Sequence, residues 1–209
     1  MKMLQEEHPQ LKRVILSSVK PYSDELKQYL SENFEQFLEL DHQTEIPIGN
    51  LYQTPETLGK DRIAAAVGAN ELFPDQNLLV IDAGTAITFD LISEKNEFIG
   101  GNISPGLEMR FKALNQFTGS LPLLSRSNDF NEIGQNTTEA IQAGVQNGII
   151  YEIGQTIETF NRNYQNLQII MTGGDSIFFD KKLNYTIFVN FNLTLIGLNR
   201  ILEHNAKKK

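Results

Sequence analysis

The chain alternates between short apolar runs and amphipathic stretches along most of its length. Apolar runs rich in β-branched residues predict strands at 13–19, 37–40, 77–82, 86–92, 98–103, 168–171 and 186–189. Apolar residues at helical spacing predict helices at 23–33, 62–72, 137–160 and 193–203. A further helix is predicted after Ser104, which would cap it, with Pro105 in the first turn. Strands and helices in this order are typical of an α/β fold.

A polar break interrupts one of these runs, VIDAGTAITFDLI at 80–92. Asp82 ends the first half, and Gly84 with Thr85 predicts a tight turn into an antiparallel partner strand. A carboxylate at this place can hold a cation, a glycine lets the backbone approach a ligand, and a threonine donates hydrogen bonds to phosphate. The break therefore predicts a phosphate-binding hairpin, and an ordinary Asx-type turn is the alternative.

Two other glycine-rich stretches are candidate ligand sites. TGGD at 172–175 follows an apolar strand, and its Gly173 and Gly174 would let a flat ring such as a purine lie on the backbone. The glycines of GGNISPG at 100–106, with the helix start predicted after Ser104, would offer free N–H groups to an anion. A plain turn and a plain glycine-rich loop are the alternatives.

The stretch GKDR at 59–62 places opposite charges side by side just before a predicted helix. The carboxylate of Asp61 could accept a proton from a substrate hydroxyl, and the guanidinium of Arg62 could bind a substrate carboxylate. The alternative is a helix cap with a surface ion pair.

Composition narrows the classes of function. The 209 residues carry a formal net charge of −8, which disfavours a nucleic-acid partner because phosphate recruits Lys and Arg. The chain has no cysteine, and its histidines, His8, His42 and His204, are too scattered to form a metal site. Neither a signal peptide nor a membrane-spanning run is expected, and we expect a cytoplasmic protein.

Together these stretches resemble the type III pantothenate kinases, a family of the acetate and sugar kinase/Hsp70/actin superfamily. The resemblance extends over nearly the whole chain and is carried by LYQTPETLGKDRIAAAVGA, VIDAGTAITFD, GGNISPGLEMRFKAL, FTGSLPLL, NTTEAIQAGV, IIMTGGD and LTLIGLNRIL. It implies transfer of the γ-phosphoryl group of ATP to the primary hydroxyl of pantothenate, the first step of coenzyme A synthesis. The combination of GKDR with NTTEAIQAG disfavours a general sugar or acetate kinase.

The resemblance also implies roles for single residues. Asp61 is the expected general base, and the residues expected to bind pantothenate are Tyr52, Gly59, Lys60, Asp61, Arg62 and Thr137. Thr137 would reach the substrate across a subunit interface, which implies a homodimer. Asp82 would bind a monovalent cation, K⁺ or NH₄⁺, and Mg²⁺ would accompany ATP. Thr85 is the nucleotide contact that the family implies, and the glycines of the two turns, Gly84, Gly173 and Gly174, are expected beside it.

The resemblance implies two ribonuclease-H-like halves of the actin and sugar-kinase type, at 1–76 and 77–209. The family opens with a strand bearing D-x-G-N-T, and this motif does not occur in the chain. The first half is therefore expected to be incomplete, and the chain as written is expected to bind ATP poorly and turn over negligibly. A non-catalytic dimer of the same fold, binding nucleotide or pantothenate in a regulatory role, is the alternative function.

Overall fold

Two sheets organise the computed structural model, which describes residues 8, 10–18 and 20–206. A small sheet pairs β1 (Arg13–Leu16) with β2 (Gln36–Glu39) in parallel. The large sheet contains β3 (Gly49–Asn50), β4 (Leu78–Ala83), β5 (Ala86–Ser93), β6 (Glu97–Pro105), β7 (Gln168–Thr172) and β8 (Phe188–Val189). The helices are α1 (Asp24–Asn33), α2 (Lys60–Leu72), α3 (Leu107–Phe117), α4 (Thr137–Asn163), α5 (Ser176–Asp180) and α6 (Leu193–Ala206), with a 3₁₀ turn at Pro55–Thr57.

The large sheet has the order β3-β6-β5-β4-β7-β8. Strands β4, β5 and β6 form an antiparallel meander, and β7 and β8 continue the sheet in parallel beyond β4. An antiparallel meander followed by parallel strands on the side of its first strand is the ribonuclease-H-like arrangement. The predicted α/β fold is confirmed, and the division at residue 76 stays a prediction.

Strand β4 is buried on both faces, which is why its sequence is apolar without alternation. Leu79 and Ile81 face a core that includes Phe111 of α3 and Ile149 of α4. The alternate residues Leu78 and Val80 belong to the second core, which α2 and α6 cover. The strand that carries Asp82 next to its last residue is thus fixed from both sides.

Helices α2 and α6 cross at a pair of glycines. A Cβ atom on Gly68 would lie 2.2 Å from the carbonyl oxygen of Leu193, and one on Gly197 would lie 1.7 Å from that of Ala64. Both distances are far below van der Waals contact, so only glycine permits this approach. The contact holds α2, which carries GKDR at its start, against the sheet.

The predicted strands and helices are present with shifted ends, and the predicted cap at Ser104 is wrong. The plain loop considered as an alternative at 100–106 is excluded, because Gly100 to Pro105 pair with β5 as part of β6. Ser104 does not cap α3: the cap residue is Gly106, whose N–H donates to the carbonyl of Thr85 at 3.0 Å. Val19, in the first predicted strand, lies outside the described residues.

Candidate active site

The hairpin between β4 and β5 turns through Gly84 and Thr85, as predicted. Asp82 pairs with Thr88 across the two strands, and the N–H of Gly84 donates to the carbonyl of Ala86 at 3.1 Å. The turn is held from outside as well, because a Cβ atom on Gly106 would lie 2.2 Å from the carbonyl oxygen of Gly84. The hairpin is therefore a rigid element at the end of a buried strand.

The TGGD turn lies directly against this hairpin. The N–H of Asp175 donates to the carbonyl of Ala83 at 3.0 Å. Gly173 has φ +92°, and a Cβ atom there would lie 2.5 Å from a carboxylate oxygen of Asp82. Glycine is required at this position by both conformation and space. The two predicted turns thus meet at Asp82.

A cavity of about 680 Å³ opens beside the two turns. Its walls include Gly84 and Thr85 of the hairpin, Gly174 and Asp175 of the second turn, and Glu108 of α3. Cavities of about 300–1,000 Å³ are the size that small-molecule ligands occupy. The structure therefore brings three of the predicted nucleotide residues to one cavity, and Gly173 lies directly against the carboxylate of Asp82.

Asp61 lies in the first turn of α2, where its carboxylate accepts the backbone N–H of Arg62 at 2.8 Å. Arg62 does not form the surface ion pair considered above. It is 6% exposed, and its guanidinium pairs with the buried carboxylate of Asp90 at 2.5 Å. The start of α2 is thereby tied to the middle of β5.

Three carboxylates, on Asp61, Asp82 and Asp90, influence one another in this region. Burial, together with the charges of Asp61 and Asp90, raises the pKa of Asp82 to about 6. Burial also raises the pKa of Asp90, although the hydrogen bond from Arg62 opposes that rise. Among the ion pairs of the described residues, none involves Asp82. A carboxylate that is largely buried without a positive side chain fits the binding of a cation.

The part of the chain that the structure describes contains no group of three or more His, Cys, Asp or Glu residues that could hold a metal ion. Mg²⁺ usually keeps several waters and binds through one or two carboxylates plus the phosphates of its nucleotide. The donor set therefore fits a metal that arrives with a nucleotide.

The remaining predicted substrate residues lie in three places. The ring of Tyr52 is 5.7 Å from the guanidinium carbon of Arg62, so it belongs to the Asp61 region, where Gly59 caps α2. Lys60 lines a separate cavity of about 410 Å³. Thr137 lines an apolar groove of about 1,020 Å³ between α3 and α4. Tyr52, Gly59, Asp61 and Arg62 are thus brought together, whereas Lys60 and Thr137 open onto other surfaces.

Comparison with known proteins identifies the family. The sequence profile of the type III pantothenate kinase family matches residues 1–159. A type III pantothenate kinase of Phocaeicola vulgatus is 47% identical over 197 residues, which cover 94% of this chain and 81% of the relative. The enzyme of the same name from Christiangramia forsetii is 45% identical, with 97% and 83% covered. The chain belongs to the type III pantothenate kinases.

One solved structure supports the fold of this pantothenate kinase. It is described as a conserved Baf family transcriptional activator from Campylobacter jejuni, and it superposes with a TM-score of 0.63 at 24% sequence identity. The superposition covers 94% of this chain and 84% of the other. Through the described residues of the kinase, no helix is long and apolar enough to cross a membrane.

Asp90 is the residue of this kinase that sequence reasoning missed. A usable signal was present, because Asp90 lies between Phe89 and Leu91 in an otherwise apolar strand. A carboxylate at such a position must be buried, and a buried charge requires a partner. That the partner is Arg62 depends on how α2 packs, which the local pattern does not contain.

Proposed function

We propose that the chain uses ATP to phosphorylate pantothenate, the first step of coenzyme A biosynthesis. The family membership supports the reaction, since the curated relatives are named type III pantothenate kinases. The observation that carries the proposal is the meeting of the two glycine turns at Asp82, whose carboxylate also responds to the charge of Asp61. Asp82 thus lies between the turns proposed for the nucleotide and the carboxylate proposed as the base.

The cavity beside the two turns is proposed to receive the nucleotide. Phosphoryl transfer depends on positioning and on neutralising charge more than on covalent help from the protein. Thr85 offers a hydroxyl and a backbone N–H to phosphate, and Gly84 and Gly174 let the nucleotide approach the backbone. Mg²⁺ bound to ATP would neutralise the charge of the transferred group.

Asp61 is proposed as the general base that takes the proton from the primary hydroxyl of pantothenate. Its place in the first turn of α2 fixes the carboxylate on the backbone N–H of Arg62, whose guanidinium carbon lies 5.7 Å from the centre of the Tyr52 ring. Gly59 would line the substrate on the same side, whereas Lys60 lines a separate cavity. A single positioned base is typically worth about 10²–10⁴ in rate.

A monovalent cation, K⁺ or NH₄⁺, is proposed to bind at Asp82. Ionisation of this largely buried carboxylate is costly without a partner, as its pKa of about 6 shows. A cation there would neutralise the carboxylate next to the two phosphate turns.

A homodimer is proposed to complete the pantothenate site. Thr137 opens onto the groove between α3 and α4, away from the residues grouped around Asp61. The groove is apolar, and Phe117 on its edge is 81% exposed. A second copy of the chain covering this groove would bury the apolar surface and bring Thr137 to the partner's substrate. Because ATP is the phosphoryl donor, a cytoplasmic location belongs to the same proposal.

The function is tested by incubating the purified chain with pantothenate, ATP, Mg²⁺ and KCl and detecting 4′-phosphopantothenate by mass spectrometry. The slow turnover that the sequence predicts for the original chain should still give detectable product, and Asp61→Asn should lower its rate by about 10²–10⁴. Asp24→Asn removes a carboxylate from the first turn of α1 and is the matched control, with an unchanged rate expected. Pantothenate binding without product from the original chain would instead favour the non-catalytic alternative, which none of the comparisons supports.

A further inference from the structure

Asp90 is a buried carboxylate for which the proposed reaction has no direct use. It lies on β5 opposite Gly101 of β6 and is 1% exposed. A buried ion pair is weak support for stability, because an apolar pair of similar size is often as stable or more stable. Stability alone therefore does not explain why a carboxylate is buried at position 90.

The contact between Asp90 and Arg62 is a fork with defined geometry. The Nε atom of Arg62 donates to the two carboxylate oxygens at 3.0 and 3.3 Å, and Nη2 donates to one of them at 2.5 Å. The space beside Gly101 is just large enough for the two side chains. A Cβ atom on Gly101 would lie 2.5 Å from the carboxylate of Asp90 and 2.9 Å from Nη2 of Arg62. The absence of a side chain at residue 101 thus makes room for the fork.

The fork touches both sides of the proposed substrate site. The guanidinium carbon lies 5.7 Å from the centre of the Tyr52 ring and 5.9 Å from that of Phe98, distances at which a cation attracts an aromatic face. On the helix side, the backbone N–H of Arg62 holds the carboxylate of Asp61. Asp90 also occupies a guanidinium that would otherwise be free to pair with its neighbour Asp61.

We propose that Asp90 is a positioning residue for the phosphorylation of pantothenate. It fixes the guanidinium of Arg62, and through Arg62 it fixes the first turn of α2 with Asp61 and the ring of Tyr52. This inference rests on the proposed function. Misplacement of a reacting group by about 1 Å can cost about 10² in rate, so loss of the fork should be visible in kcat.

The experiment compares Asp90→Asn, Arg62→Gln and the double variant with the original chain, measuring kcat and KM for pantothenate and the thermal unfolding midpoint. Each single variant leaves one buried charge without its partner, so both should unfold at lower temperature. The double variant has no charge at either position, so its unfolding midpoint should return most of the way to that of the original chain. Its kcat should stay about 10²-fold below that of the original chain, because the fork is still absent.

Glu71→Gln is the matched control, since it removes the other ion pair of α2, between Glu71 and Arg200 at 2.7 Å. It should leave kcat and KM unchanged. Recovery of kcat together with stability in the double variant, or an equal loss of kcat with Glu71→Gln, would show a purely structural ion pair and overturn the inference. Because Arg62 is also expected to contact pantothenate, Asp90→Asn, which keeps the guanidinium, shows whether kcat depends on the fork. The double variant shows whether the lost stability comes from the unpaired charge, and recovery of its kcat would overturn the inference even where Asp90→Asn does not fold.

The same assay separates the two proposals. If the original chain forms no 4′-phosphopantothenate, the proposed function fails and the role of Asp90 fails with it. If the original chain is active and the double variant is equally active, only the role of Asp90 fails.

Discussion

Asp82 shows at the scale of one residue how a strand end becomes a chemical site. The carboxylate lies between two glycine turns, 2.5 Å from the place where a side chain on Gly173 would begin. Burial and two neighbouring carboxylates make its ionised form costly. This environment lowers stability when Asp82 is ionised, so a residue that only formed the turn would not need a carboxylate here.

The raised pKa of Asp82 predicts how the variant Asp82→Asn changes stability with pH. The pKa is about 6 in the folded chain against 3.8 for a free carboxyl group, so the protonated form favours folding. That contribution is complete below about pH 4 and is lost as the pH rises to about 6. Asp82→Asn should therefore raise the unfolding midpoint at pH 7.5 and change it little at pH 4, as measured by differential scanning fluorimetry. An equal shift at both pH values would contradict the assignment.

The proposed cation gives a second prediction for the same residue. Replacing NaCl by KCl at equal ionic strength and pH 7.5 should raise both the unfolding midpoint and the rate of pantothenate phosphorylation, because K⁺ would offset the buried charge. Asp82→Asn should abolish the difference between the two salts. Identical behaviour of the original chain in Na⁺ and K⁺ would leave Asp82 as a turn residue only.

Sequence reasoning located residues whose role is local and missed those whose partner is distant. Gly84, Thr85, Gly173 and Gly174 follow apolar strands directly, and strand ends in one sheet meet at one edge. Asp90 was not proposed, because its partner lies 28 residues away on another element. Pairing between elements is set by tertiary packing, which a single sequence does not display.

At the scale of elements, the crossing of α2 and α6 fixes where the candidate base lies. The glycine pair lets the two backbones touch, so α2 has little freedom to slide along α6. Periodicity predicted both helices, whereas β6 extended past its predicted end to Pro105. The extension depends on pairing with β5, and a stretch rich in glycine and proline, such as 100–106, does not show such pairing in its own pattern.

Gly197→Ala should lower stability in spite of the higher helix propensity of alanine. Alanine is favoured over glycine by about 1 kcal/mol within a helix, but overpacking at a closed contact typically costs about 1–3 kcal/mol. With the added Cβ 1.7 Å from the carbonyl oxygen of Ala64, we expect the clash to win. Urea unfolding measures the change. Gly148→Ala is the control, because its Cβ would meet only Arg110 at 3.9 Å and should be neutral or stabilising.

At the scale of the whole molecule, the groove between α3 and α4 leaves a large apolar area uncovered. Phe117, which lines the groove, is 81% exposed. Exposed apolar patches of this kind mark protein interaction sites in soluble proteins. The same groove contains Thr137, so the proposed assembly and the proposed substrate site share one surface.

Gly144→Glu should convert the proposed dimer into a monomer. Gly144 lines the groove, and a Cβ atom there meets no atom within 4 Å in the single chain, so the fold itself should tolerate the change. A carboxylate buried between two apolar surfaces is strongly unfavourable. Light scattering at micromolar concentration should report a dimer for the original chain and a monomer for the variant. Gln155→Glu, on an exposed part of α4, is the control and should stay dimeric. A monomeric original chain would contradict the proposal.

The crossing of α2 and α6 also has a consequence during synthesis on the ribosome. Residues 60–72 leave the ribosome early, but the helix that covers their glycine face is formed by residues 193–206. Contacts between segments so distant in the chain close late. The first turn of α2, with Asp61 and Arg62, should therefore become resistant to protease only after residue 206 has emerged. Nascent chains stalled before that point would expose an apolar helix face, which is the state that chaperones recognise.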